Sequence, residues 1–162
     1  VGGTQDLDRF RQAQDAVHAG FATALAELRA GRKRSHWIWY VFPQLAGLGQ
    51  SSTAAYFAIA NADEAAAYLR DDTLGERLVQ VCAVVRGHLT GKDRVHLETL
   101  MGSGIDALKL VSSMTLFATT AKRLFAAEPR PRFATMADHA AAILTVAATQ
   151  GYPRCAFTEA SL

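Results

Sequence analysis

The stretch "IDALKLVSSMTLFATTAKRLF", residues 105–125, decides how the chain is read. At 3.6 residues per turn, Ala107, Leu110, Val111, Met114, Phe117 and Ala118 fill one broad apolar face. Ile105, Leu108 and Leu116 add apolar groups on its flanks. Asp106, Lys109, Ser113 and Thr120 fall within an arc of about 60°. A helix that is apolar nearly all round, with one narrow polar stripe, is normally buried by other elements. An aspartate and a lysine one turn apart on such a helix must pair or meet a ligand, because unpaired burial is costly. The plainer alternative is a surface stripe with an ordinary helix ion pair worth ~0.2–0.5 kcal/mol.

Upstream, "GSG" at residues 102–104 opens toward the start of this helix, where backbone amides and the helix dipole favour an anion. Downstream, "EPRPR" breaks the pattern, and a last helix is expected over roughly residues 135–150, stopped by Gly151 and Pro153. At the other end, Leu7, Phe10, Val17, Phe21, Ala24 and Leu28 recur at helical steps and predict one helix to about Ala30, weakened at Gly20 and stopped at Gly31. Ser52 is expected to cap a short helix, Asn61 or Asp63 another, and Asp72 a longer one that ends before Gly91. A short element carries Val95, Leu97 and Leu100. The expected fold is therefore all-α, with about six to seven helices in one domain spanning residues 1–162. Residues 1–5 are expected to be a disordered lead or a remnant, and residues 151–162 a C-terminal tail.

The segment "GRKRSHWIWYVFPQ", residues 31–44, sets three cations against a histidine and a block of aromatic groups. The part from Trp37 to Phe42 fits a minor extended segment or a single helical turn equally well. Cations at the end of a helix complement its dipole. Placed between a wet surface and a core, they also suit a cleft wall, where aromatic faces stack on a base and lysines hold phosphate. Lys33, Ser35, Trp37, Trp39 and Gln44 are the candidate binding residues here, joined by Ser103 and Ser113 from the later helix. His36, Asp106 and Lys109 are the candidate catalytic groups. Asp106 would stabilise a developing oxocarbenium charge, Lys109 would hold it ionised, and His36 is the better proton donor.

Half of the residues are hydrophobic, and alanine is plentiful, which suits helices. A net charge of +2 argues against nucleic acid as a partner. No run approaches the ~18 apolar residues a membrane span needs, and "VGGTQDLDRF" lacks a signal pattern, so a cytoplasmic protein is expected. Cys82 and Cys155 have no metal-type spacing and read as free thiols. No metal or cofactor is expected.

The "K-x-SHW-x-W-x-x-FPQ" and "SSMTLF" signatures, with "YFAIANADEAAAYLRDDTLGERL" between them, resemble a family of small bacterial helical proteins, domain-of-unknown-function family eighteen-ten. That family sometimes carries a calpastatin label, which suits a long disordered inhibitor and not a core-forming chain. The resemblance runs from Asp6 to about Phe117 and implies a mostly helical fold with no assigned activity. The layout is also distantly similar to helical hydrolases that cleave N-glycosidic bonds of ribosylated nucleotides. Those enzymes use a glutamate in their first motif helix, and "SSTAAYFAIA" has none; Glu64 lies later. Family members often carry an acidic pair near Asp106, where this chain has Ile105 and Ala107. The expectation is a domain binding a nucleotide or ADP-ribose-like ligand, with N-glycosidic hydrolysis at the same place. The alternative is a non-catalytic nucleotide-binding or protein-interaction module using the same aromatic and basic cleft.

Overall fold

The computed structural model describes the backbone of residues 2–162 and the side chains from Leu7 onward. Ten α-helices follow one another among the described residues: α1 (Gly2–Gln14), α2 (Phe21–Arg29), α3 (Ile38–Val41), α4 (Ser52–Tyr56), α5 (Ala62–Arg70), α6 (Asp72–Thr90), α7 (Leu97–Met101), α8 (Gly104–Ala127), α9 (Pro131–Thr149) and α10 (Ala156–Ser161). The fold is mainly helical, as the sequence implied. The larger number comes from α3 and α10, which are too short to show a period, and from the first expected helix, which is two, α1 and α2. The expectation for residues 1–5 falls on side chains outside the described set.

α8 is the axis of the molecule. Every residue from Leu110 to Ala118 is buried. α9 lies along it, and α5, α7, α10 and α3 pack against it elsewhere. α6 packs on α9, α5 and α2, closing a second layer. Phe117, Tyr68, Phe10, Phe133 and Met114 meet in the resulting core, all fully buried.

Helix starts follow local chemistry. Ser51, Asn61, Asp71 and Ser103 each accept a hydrogen bond from a backbone amide of the turn that follows. Ser51 and Asp71 do so one residue before the expected caps at 52 and 72. α9 starts earlier than expected because Pro131 sits in its first turn, where its missing N–H and fixed φ are tolerated. The single helix expected from Leu7 to Ala30 is instead two. Ala19 adopts φ +53°, and a Cβ on Gly20 would lie 2.2 Å from the Ala16 carbonyl oxygen. The chain turns sharply there, which leaves Val17 on the surface rather than on the expected buried face.

Two connections position the rest. A lone parallel bridge pairs Leu45 with Ile59, through Ala46 N–H to the Ile59 carbonyl (2.8 Å) and Ile59 N–H to the Gln44 carbonyl (2.9 Å). Arg9 clasps the same region, donating to the Tyr56 and Ala58 carbonyls and to Glu64, whose buried carboxylate also accepts the Ala60 amide. The C-terminal tail is not loose. The Cys155 amide donates to Thr115 Oγ1 (3.0 Å), and the Phe157 ring covers Gly47, leaving no room for a side chain there. No described helix is long and apolar enough to cross a membrane.

Candidate functional site

The α7–α8 corner and the segment after α2 press together. The Lys33 amide donates to the Leu100 carbonyl (2.8 Å), and Gly102, at φ +82°, ends α7 so close to the Lys33 carbonyl that a Cβ would sit 2.9 Å from it. This contact delivers the Lys33 side chain to the first turn of α8. Its ammonium lies 2.8 Å from Asp106 Oδ2, 2.5 Å from the Ser35 carbonyl and 5.0 Å above the Trp37 ring. The side chain is only 5% exposed, and that of Asp106 is 18% exposed. Asp106 Oδ1 faces Lys109 at 3.8 Å, beyond hydrogen-bond reach. The Lys109 ammonium instead sits 4.8 Å above the Trp39 ring. One carboxylate is thus held between two ammonium groups, each seated on an indole.

Lys109 also roofs a small crevice. Ile38, Trp39, Phe42, Gln44, Ala54 and Phe57 line the rest of it. Its volume is about 10 Å³, room for about one water molecule. Lys33, Asp106, Lys109, Trp39 and Gln44, from distant parts of the chain, therefore come to one neighbourhood.

The other expected residues have different surroundings. Trp37 is fully buried, its indole N–H donates to Glu27 Oε1 (2.9 Å) and the Lys33 ammonium lies over its ring, so it has no free face on which a base could stack. Ser35 is held by Glu27 as well, through its amide (2.9 Å) and hydroxyl (2.5 Å). His36 is exposed, and it is its carbonyl, accepting from Tyr40 Oη (3.2 Å), that is engaged. Ser103 caps α8 by accepting the Asp106 amide (3.1 Å), which occupies one of the donors expected to hold phosphate. Ser113 is fully buried, and its hydroxyl has no hydrogen-bond partner among the described residues. Thr120, the last member of the polar stripe, donates back to the Leu116 carbonyl (2.8 Å). The stripe therefore divides: Asp106 and Lys109 meet solvent at the rim, while Ser113 and Thr120 descend into the core.

Glu27 is the functional-looking residue that sequence reasoning missed. It accepts hydrogen bonds from the Arg34 and Ser35 amides, the Ser35 hydroxyl and the Trp37 indole. Burial alone would push its carboxyl up, but the hydrogen bonds from Ser35, Arg34 and Trp37 outweigh that and hold it at about 2. Glu27 is the buckle that fixes the "KRSHW" backbone. No spacing signal exposes it, because a glutamate beside Leu28 on an amphipathic helix is ordinary.

Among the described residues no three histidine, cysteine, aspartate or glutamate side chains gather as a metal site requires. Cys82 and Cys155 are both free; Cys82 is buried against Met114, with sulfur atoms 3.7 Å apart.

The solved structure of the conserved hypothetical protein Rv1873 from Mycobacterium tuberculosis is similar to this chain over its whole extent: 38% identity, 97% of this chain and 96% of that one covered, TM-score 0.71. No curated protein matches the chain. The signatures around the lysine-tryptophan rim lie within residues 4–142, which match the family described as Protein of unknown function (DUF1810), and the chain belongs to that family.

Proposed function

We propose that this domain binds a compact anionic ligand with a planar group, such as a nucleotide or ADP-ribose, at the rim formed by Asp106, Lys109, Trp39 and Gln44. The observation that carries the reading is the near-buried Lys33–Asp106–Lys109 cluster beside an aromatic crevice. Burying a lysine and an aspartate in this way stabilises a fold little compared with apolar packing, so a charge cluster kept beside a crevice suits ligand binding better than a purely structural task.

The crevice as it stands holds a water and not a base, whereas ligand pockets run to roughly 300 Å³ and more. Binding therefore requires Lys109 to lift from Trp39. Its tether is weak: a cation–ring contact of about 1 kcal/mol and a carboxylate at 3.8 Å. Once lifted, the ammonium would pair with phosphate, Trp39 would stack on the planar group and Gln44 would offer its amide to the group's edge. Lys33 already has two oxygen partners, so its task is to hold Asp106 in place. Should an N-glycosidic bond be hydrolysed here, Asp106 is the carboxylate at the rim suited to face the developing positive charge.

Isothermal titration with ADP-ribose and a set of ribonucleotides tests this. Binding is expected, with affinity falling about tenfold or more in both Lys109→Ala and Trp39→Ala. Chromatography of the same mixtures reads product, which Asp106→Asn should abolish while the protein stays folded. Lack of binding by the parent protein to every member of the set would sink the proposal.

A protein-interaction surface is the second reading, and one observation favours it. Ile105 and Leu108, 68% and 55% exposed, flank Lys109 on the outer side of α8 beside the crevice. Ile105→Ser and Leu108→Ser should leave nucleotide binding intact and weaken capture of a partner protein.

A further inference from the structure

We infer that the far end of the α8–α9 hairpin is a self-association face that pairs this chain with a second copy of itself. A shallow groove of about 290 Å³ runs between the two helices, away from the tryptophan rim. Ala126, Ala134 and Ala137 line it together with Phe125, which is 42% exposed. Lys122 on α8 and Asp138 on α9 flank it. Both charges are exposed, and neither has an ion-pair partner among the described residues.

The occupant follows from symmetry. A two-fold axis through the groove exchanges its two sides, so each copy presents its lysine where the other presents its aspartate. Two Lys122–Asp138 pairs form between copies, and each Phe125 ring finds the neighbouring copy's alanine-lined groove. Closed two-fold association needs a patch complementary to itself, and a groove with an apolar knob and one charge of each sign on opposite walls has that property.

Sedimentation velocity across a concentration series, at low and at 0.5 M salt, reads the association directly. The parent chain is expected to form a dimer that weakens with salt. Lys122→Asp sets two carboxylates together, and Asp138→Lys sets two ammonium groups together, so each single change should weaken the dimer about tenfold or more. The double variant, Lys122→Asp with Asp138→Lys, restores opposite signs and should recover association to within about threefold of the parent. Phe125→Ser should abolish it while circular dichroism stays unchanged, since the ring is substantially exposed. A monomer at every concentration, a dimer indifferent to both reversals, or a double variant no better than the singles overturns the inference. Because the groove lies apart from the Lys109 rim, ligand binding by the monomeric Phe125→Ser variant should be unaltered.

Discussion

Glu27 gathers four donors from one short segment, and its replacement is the sharpest test of how that segment is held. Glu27→Gln removes the charge that assists those hydrogen bonds and turns one acceptor oxygen into a donor facing other donors. A loss of roughly 2 kcal/mol at neutral pH is expected from urea unfolding. The pH dependence has a definite sign. The carboxyl titrates near 2 in the folded chain and near 4.5 when unfolded, so its stabilising contribution is complete above about 4.5 and fades as pH falls toward 2. The acid limb of the stability profile should flatten in the Glu27→Gln variant over that window. Ser113 makes the opposite case. Its hydroxyl is buried without a partner among the described residues, so Ser113→Ala should leave stability unchanged or raise it by about 1 kcal/mol, read as the urea midpoint. The sequence placed Ser113 on a polar stripe correctly, but helical spacing says only which residues share a face. It does not say that the stripe runs from solvent into the core.

At the scale of elements, caps and breakers were legible and short turns were not. Asn61, Gly91 and the proline break after α8 are where the residue types place them, because capping and φ restriction act within a few residues. The split of the first helix was visible only as a weakness at Gly20, since the turn also needs Ala19 in the left-handed region and the packing of α1 on α3, α5 and α6. Two glycines separate propensity from geometry. Gly87 lies inside α6 with nothing within 4 Å of a prospective Cβ, so Gly87→Ala should stabilise the protein by about 0.5–1 kcal/mol. Gly102 ends α7 at φ +82° against the Lys33 carbonyl, so Gly102→Ala should destabilise it by about 1–3 kcal/mol and loosen the Lys33–Asp106 contact. Thermal melts of the two variants should move in opposite directions.

For the whole molecule, the burial of α8 is the organising fact. Phe117 is fully buried, with its ring 5.4 Å from that of Tyr68, and Phe117→Ala should cost about 3–5 kcal/mol in urea unfolding. That is a large share of the 5–15 kcal/mol by which such domains are stable. By itself the sequence determined that the fold is helical, that residues 105–125 form a helix apolar nearly all round, and that Asp106 and Lys109 share a face. Those properties depend on periodicity and local chemistry, which act within one or two turns. Only the tertiary structure decided that Lys33 reaches Asp106 across more than seventy residues, that Trp37 is packed while Trp39 lines a crevice, and that Glu27 buckles the segment between them. Those outcomes depend on which surfaces meet when helices far apart in the chain pack around α8, and no local pattern encodes that.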